Sequence, residues 1–235
     1  METHKFGSIY CDGRAYGPKT EFANNVVVTI GNTEQDKELG WIKTGDIYIC
    51  GSTIFPRASW KALDNLGLIT GRPVSIDGKP YLCRAPKVGL DSHNPGKWDE
   101  LLNEVGDMDS IWNCEGLWFW GQEVHPENHD FAVCRGGEDP RGWNYAEIHH
   151  QSPKIGFRPV LEQLPPMPVL NDGMIGTTLR MYGEEGYFDA VLADFNDYDI
   201  TAKLVGEMDF EFSWAQRDGD EVAISRDGLV WMERV

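Results

Sequence analysis

Residues 131–137 read FAVCRGG, and residues 155–162 read IGFRPVLE. Each run joins apolar residues to a short polar ending, a pattern that predicts two strands. Arg135 and Arg158 lie inside these strand signals. A buried guanidinium needs fixed hydrogen-bond acceptors, so both arginines are expected to be held by backbone carbonyls or carboxylates.

Polar and aromatic residues fill the segment between the two runs, at positions 138–154. This composition predicts an irregular loop joining two strands. Gly136 and Gly137 precede the loop and Gly156 follows it. Glycine at these points allows a positive φ angle or a close approach of the backbone to a bulky neighbour.

The Arg-Gly-Gly strand, the variable loop and the Gly-Phe-Arg strand together resemble the end of the formylglycine-generating-enzyme (sulfatase-modifying factor) version of the C-type lectin fold. The same scaffold carries the variable proteins of diversity-generating retroelements. The chain is also similar to proteins of gut bacteria and their prophages that add a Trp-rich strand and a Trp-Asp helix. The resemblance covers about residues 46–164. It implies that the first and last strands of the scaffold pair and that a second small sheet carries the binding loops.

Composition indicates an ordered globular protein: the chain has 235 residues, 41% of them hydrophobic, and nine tryptophans. That length suits one large domain or two small ones. Apolar runs all fall short of the roughly 20 residues that span a bilayer, and the start shows no secretory signal. The expected location is therefore the cytoplasm, in a bacterial host if the resemblance holds.

The formal net charge is −17, and it is uneven along the chain. Residues 166–235 contain 15 acidic and 5 basic side chains, a net charge of −10. Such a field repels nucleic acid and most membrane surfaces and attracts basic partners. Solubility alone is the alternative explanation.

A proline-rich linker at 165–168 divides the chain. Residues 1–164 are predicted to form the C-type lectin-like domain, and residues 169–235 a small acidic antiparallel β-domain, barrel-like in form. Since helix signals also occur, the predicted fold class is α+β.

Two helices are predicted in the first domain. One has Pro56 at an early position and ends near Gly67. The second covers 94–105, with Asn94 as its N-cap and Pro95 at its first position. Its apolar face recurs at helical spacing, and its early acidic residues suit the helix dipole without any assigned chemistry. That face is formed by Trp98, Leu101, Leu102 and Val105.

Strands are predicted elsewhere from β-branched and alternating patterns. In the first domain they lie at 25–30, 41–50 and 74–83, with a hairpin turn at Asp77-Gly78. In the second domain they lie at 178–182, 187–192, 209–214, 221–224 and 229–232. Trp118 and Trp120 share one strand face, which is assigned to the core in preference to a ligand platform.

Formylglycine-generating activity is excluded by the residue types present. The family's copper-binding cysteine pair would fall within 138–154, which contains no cysteine, and Cys134 lies just before it in a strand. Without two thiolates, Cu(I) has no ligands there. The five cysteines are read as mainly buried thiols, and neither a zinc nor a calcium pattern is complete. No cofactor is predicted, and the protein is expected not to be an enzyme.

The loop between the two motifs combines aromatic anchors with polar side chains, a composition typical of binding surfaces. The predicted function is recognition of a protein or other ligand. The candidate residues are Arg141, Trp143, Asn144, Tyr145, Glu147, His149 and His150.

A second hypothesis uses the acidic C-terminal segment, residues 166–235. An acidic inhibitor from a phage or mobile element would place carboxylates, among them Asp194, Asp197 and Asp199, in the nucleic-acid-binding groove of a basic host defence protein. Salt dependence distinguishes the two hypotheses, because an acidic interface weakens strongly with added salt. Neither hypothesis involves direct contact with nucleic acid or a membrane.

Overall fold

A computed structural model describes residues 2–18, 20–22, 28–91, 93–206 and 212–235. Within these ranges the chain is mostly β, with several antiparallel sheets and three short α-helices of four to nine residues. The predicted α+β class is therefore wrong, and the fold is all-β. The helix signals in the sequence were genuine, but the helices are too short to form a layer of their own.

Twenty-one strands are described. In chain order they are β1 (Glu2–Phe6), β2 (Ser8–Cys11), β3 (Arg14–Tyr16), β4 (Val28–Gly31), β5 (Leu39–Thr44), β6 (Ile47–Cys50), β7 (Arg72–Ile76), β8 (Lys79–Arg84), β9 (Gly89–Asp91), β10 (Asn94–Pro95), β11 (Trp118–Val124), β12 (Phe131–Gly136), β13 (Trp143–Glu147), β14 (Ile155–Gly156), β15 (Val160–Gln163), β16 (Thr178–Tyr182), β17 (Tyr187–Phe195), β18 (Asp199–Leu204), β19 (Ala215–Asp218), β20 (Glu221–Ser225) and β21 (Trp231–Arg234). The helices are α1 (Trp60–Asn65), α2 (Lys97–Val105) and α3 (Asp109–Trp112), with short 3-10 turns at Asp172–Met174 and Arg226–Gly228.

The largest sheet of the first part has the order β1-β5-β6-β15-β8-β7. Strand β15 lies near the centre of this sheet and pairs antiparallel with β6 and β8. β6 and β15, the first and last strands within residues 46–164, therefore pair directly. The predicted hairpin is confirmed: Asp77 and Gly78, with φ angles of 52° and 73°, turn the chain between β7 and β8.

Smaller sheets complete the first part. β3, β2 and β4 form one, and β9 and β10 form another. The strand predicted at 25–30 is seen as β4 from Val28 onward, and positions 25–27 lie outside the described residues. Both strands predicted within 41–50 are present as β5 and β6.

Helix α1 begins at Trp60, so the predicted early position of Pro56 is wrong. Its N-cap is Ser59, whose side chain accepts a hydrogen bond from the backbone N–H of Ala62. Helix α2 buries Trp98, Leu101 and Leu102 and ends at Gly106, as predicted. Its predicted start is wrong, because Asn94 and Pro95 form β10 and Gly96 is the N-cap.

The close packing of two backbone segments explains that start. A Cβ atom built on Gly96 would lie 2.2 Å from the backbone nitrogen of Gly89. Residues up to Pro95 are therefore held in the β9–β10 strand pair, and the helix begins only after Gly96, the residue that packs against Gly89.

The four-stranded sheet carries the two motifs, in the order β13-β12-β11-β14. β12 pairs antiparallel with β11 and β13, whereas β14 pairs parallel with β11. Trp120 is fully buried and Trp118 is half-buried against the same core, so the face that they share packs inward as predicted. Phe119, on the opposite face of β11, is also fully buried.

The last part forms one six-stranded antiparallel sheet, β19-β20-β18-β17-β16-β21. Its core contains only residues from Met167 onward. The strand predicted at 178–182 is β16, and those at 187–192, 221–224 and 229–232 correspond to β17, β20 and β21 with shifted ends. Of the strand predicted at 209–214, positions 209–211 lie outside the described residues.

Contacts also link the two parts. The Arg72 guanidinium donates a hydrogen bond to the carbonyl of Glu184, and the indole N–H of Trp231 donates one to the carbonyl of Pro165. The division at 165–168 into independent domains stays a prediction.

Candidate functional site

Arg135, the arginine of the Arg-Gly-Gly motif, is completely buried beneath β13. Its two terminal nitrogens donate to the two carboxylate oxygens of Asp99 at 2.8 and 2.9 Å. Further hydrogen bonds run to the carbonyls of Gly142, Val88 and Arg141. The predicted fixed acceptors are therefore present, and the guanidinium ties α2 to the segment that leads into β13.

Asp99 lies in the first turn of α2 with 16% of its side chain exposed. Burial raises the pKa of its carboxyl, but the hydrogen bonds and charge of Arg135 outweigh that effect, and the pKa is held below its usual value. One of the Asp99 carboxylate oxygens also accepts a hydrogen bond from the backbone N–H of Gly96, which fixes the start of the helix.

Trp143 covers this ion pair from the side of β13. The centre of the Arg135 guanidinium lies 3.7 Å from the centroid of the indole ring. Trp143 and Arg135 are also direct cross-strand partners. Stacking of a desolvated guanidinium on tryptophan is attractive, so the ring is held in one position.

The glycines of the motif leave space for these contacts. Gly136 and Gly137 have φ angles of 102° and 85°. A Cβ atom on Gly137 would lie 2.6 Å from the ring of Trp118, and one on Gly142 would lie 2.2 Å from the carbonyl oxygen of Gly136. The predicted positive φ angles and close approaches are confirmed.

Arg158, from the Gly-Phe-Arg motif, is also fully buried. It donates to the carbonyls of Cys50 at 2.9 Å and Trp112 at 2.7 Å. The guanidinium lies 4.9 Å from the ring centroid of Phe119. Like Arg135, it has a structural position and is not exposed to a ligand.

Part of the predicted loop is a strand, β13, with β12 on one side. Trp143 and Tyr145 project to the same face, as predicted, but both rings are half-buried against the core beneath the sheet. The hydroxyl of Tyr145 donates to the carbonyl of Leu90, and its ring contacts His125 edge-on at 5.0 Å. The two rings therefore anchor the strand as well as bordering its surface.

The remaining candidates divide between the two ends of β13. Arg141 lies before the strand and is paired with Asp107 at 2.6 Å and with the side-chain oxygen of Asn103. His149 and His150 lie after it, beyond Glu147, and all three side chains are exposed. At about 3.4 Å per strand residue, Arg141 is too distant to act with the histidines.

β13 is the outermost strand of its sheet in the part of the chain that the structure describes. The exposed side chain of Asn144 accepts a hydrogen bond from the outward-facing N–H of Tyr145 at 2.9 Å, and the carbonyl of Glu147 accepts one from His150. Internal hydrogen bonds of this kind reduce the tendency of an edge strand to pair with another chain. We call the exposed residues Asn144, Glu147, His149 and His150, with the half-buried Trp143 and Tyr145, the β13 surface.

The three acidic candidates lie together on the β17–β18 hairpin. Asp194, Asp197 and Asp199 are all exposed, on either side of a turn. Asn196 shapes that turn by accepting hydrogen bonds from the N–H groups of Tyr198 and Asp199.

The geometry gives little support for a metal-binding site or a reactive cysteine. Across the described ranges, no group of three His, Cys, Asp or Glu side chains is placed to hold a metal ion. Cys134 is fully buried, and burial raises the pKa of its thiol far above its usual value; burial also raises that of Cys83, to about 12. Thiols in such surroundings are poor nucleophiles and poor ligands.

Sequence reasoning missed two partners of the motif arginines. Asp99 was recognised only as an acidic residue suited to the helix dipole, and Trp112 not at all. Asp99 could have been suspected because a carboxylate is a favourable partner for a buried arginine and α2 presents one on the edge of its apolar face.

No protein-family model, no curated protein and no solved structure matches this chain. Among the residues described, no helix is long and apolar enough to cross a membrane.

Proposed function

We propose that this protein is a non-catalytic recognition protein whose β13 surface binds a protein or other ligand. The observation that supports the proposal most directly is the rigid support beneath an exposed strand. Trp143 is fixed on the buried Arg135–Asp99 pair, and Tyr145 is fixed on Leu90. Side chains held in advance lose little conformational entropy on binding.

The chemistry of the surface suits a polar partner with an aromatic contact. Asn144 and Glu147 offer amide and carboxylate groups, and the neighbouring His149 and His150 offer imidazoles. Trp143 and Tyr145, on the face of β13 opposite to Asn144, leave part of their rings exposed and add apolar area. Such mixtures of polar and aromatic groups are typical of interaction surfaces.

The resemblance to the formylglycine-generating-enzyme version of the C-type lectin fold belongs to this proposal, as does location in the cytoplasm of a bacterial host. In that scaffold the segment between the two motifs is where binding diversity is placed. In this chain the corresponding ligand-binding segment is residues 138–154, between Arg-Gly-Gly and Gly-Phe-Arg.

The acidic inhibitor is the second candidate, and one observation favours it. Asp194, Asp197 and Asp199 are exposed together on a single hairpin of a domain with net charge −10, and Tyr198 between them is 79% exposed. Carboxylates projecting from a rigid hairpin would suit the basic groove of a nucleic-acid-binding protein.

Parallel capture from a bacterial lysate tests the two candidates. One bait carries Asn144→Ala, Glu147→Ala, His149→Ala and His150→Ala, and the matched bait carries Asp194→Asn, Asp197→Asn and Asp199→Asn. All substituted side chains are exposed, so both baits are expected to fold. A protein retained by the unaltered chain and the acidic-site bait, but lost from the first bait, supports the proposal. Retention by the first bait and loss from the second supports the inhibitor instead.

A further inference from the structure

A row of aromatic side chains crosses the outer face of the last sheet. Tyr182 of β16 is the cross-strand partner of Tyr187 in β17 and of Trp231 in β21. The ring centroids lie 5.3 Å apart for Tyr182 and Tyr187 and 5.8 Å apart for Tyr182 and Trp231. We call Tyr187, Tyr182 and Trp231 the aromatic row.

The aromatic row faces away from the core of its own sheet. Met181 and Met232, the neighbours of Tyr182 and Trp231 along their strands, point inward and are buried. Side chains alternate along a strand, so Tyr182 and Trp231 lie on the opposite face. The row is therefore additional to the packing that holds the sheet together.

One end of the row contacts the chain's own proline-rich segment. The indole N–H of Trp231 donates a hydrogen bond of 3.1 Å to the carbonyl of Pro165, the first residue of the run Pro-Pro-Met-Pro at 165–168. Proline-rich segments adopt the polyproline II conformation, in which carbonyls make no internal hydrogen bonds. Surfaces lined by aromatic rings bind such segments, because the extended conformation costs little entropy to fix.

The other end of the row is open. Tyr187 is 50% exposed, whereas Trp231 is 6% exposed. Exposed carboxylates stand next to the open end, on Glu184 and Glu185 in the turn between β16 and β17. Two cations also lie there: the Arg180 guanidinium is 5.0 Å from the ring centroid of Tyr187 but is paired with Asp189 at 2.7 Å, and Arg72 donates a hydrogen bond to the carbonyl of Glu184. A ligand with a basic residue beside its prolines fits this charge distribution.

We propose that the aromatic row is a binding site for an extended, proline-rich protein segment that carries a flanking arginine or lysine. The chain's own Pro165 contacts the Trp231 end, so the partner has to displace that contact. Loosening the linker therefore frees the site. This inference concerns a different surface from β13 and does not depend on the function proposed there.

Fluorescence anisotropy with a labelled peptide tests the proposal. The probe has the sequence of residues 163–169, QLPPMPV, followed by two arginines; a second probe ends in two glutamates. The full chain is expected to bind the first probe saturably and more tightly than the second. Pro165→Gly with Pro166→Gly makes the linker flexible and lowers its occupancy of the row, so the affinity for the first probe is expected to rise about fivefold.

Two substitutions locate the site. Tyr187→Ala removes the exposed ring and is expected to weaken binding at least about fivefold, whereas Tyr198→Ala, an exposed tyrosine on the β17–β18 hairpin, leaves it unchanged. Melting curves establish that both variants are folded. Absence of saturable binding to the folded chain and to its glycine variant overturns the proposal, as does equal binding by the two tyrosine variants. Equal affinity for the two probes overturns the requirement for a basic flank.

Discussion

Arg135 and Asp99, 36 positions apart in sequence, form an ion pair with two hydrogen bonds, and the arginine is fully buried. The pair joins the first turn of α2 to the strand that carries the Arg-Gly-Gly motif. With Trp143 stacked on its guanidinium, it also sets the position of the outermost strand of the sheet. The arginine of the Arg-Gly-Gly motif thus has a structural role in this chain.

Removing the carboxylate of this pair should strongly destabilise the fold. Asp99→Ala leaves the Arg135 guanidinium buried without its counter-ion, which typically costs about 3–5 kcal/mol of unfolding free energy. Urea denaturation followed by circular dichroism measures the loss. The control is Glu100→Ala, the neighbouring residue on α2, whose exposed pair with Lys97 contributes little. A loss for Asp99→Ala as small as that of the control contradicts the assignment.

The same pair should contribute a pH-dependent part of stability. The pKa of Asp99 is lowered in the folded chain, where Arg135 outweighs burial, so its contribution is fully present above the ordinary carboxyl pKa of about 3.9 and is lost as pH falls through the lower folded value. Urea midpoints between pH 6 and pH 3 should therefore fall more steeply for the unaltered chain than for Asp99→Asn. Parallel curves for the two proteins would show that Asp99 does not titrate in this way.

Arg158→Ala should also destabilise the protein. The substitution leaves the buried carbonyls of Cys50 and Trp112 without their donor, at a cost on the order of 1–3 kcal/mol for each unsatisfied group. Arg14→Ala, at an exposed position on β3, serves as the matched loss of an arginine. An unchanged melting temperature for Arg158→Ala would mean that the guanidinium is hydrated in solution.

A chain ending at Leu164 should fold by itself. The sheets and helices of the first part, including β15 and both motif arginines, lie before that point, and the last sheet has a core of its own residues. Thermal unfolding of the shortened chain should remain cooperative. Aggregation or a broad transition would instead show that contacts such as Arg72 with Glu184 hold the two parts in one unit.

Local signals in the sequence predicted local structure well. Asp77-Gly78 predicted its hairpin, and the spacing from Trp98 to Val105 predicted the buried face of α2. Each depends on neighbouring residues alone. The same reasoning wrongly predicted Asn94 as the N-cap of α2. The start of this helix is decided by the contact between Gly89 and Gly96, and rules for helix ends, which use neighbouring residues only, cannot predict such a contact.

The prediction of an α+β fold class failed for a related reason. Several strands are too short to show an alternating pattern, such as β3 with three residues and β10 with two. Their pairing partners stabilise them and cannot be identified from local pattern. For the candidate site, the sequence predicted that Trp143 and Tyr145 share a face but could not show that this face packs onto Arg135 and Leu90.

The central claim, recognition through the β13 surface, is tested most directly by titrating a captured and purified partner against two folded variants. These are the quadruple alanine variant at Asn144, Glu147, His149 and His150, and the triple asparagine variant at Asp194, Asp197 and Asp199. The account predicts that the first loses at least about 2 kcal/mol of binding free energy at both low and high salt, while the second binds like the unaltered chain. Normal binding by the first variant, with a loss of binding by the second that is largest at low salt and shrinks as salt is added, would contradict it.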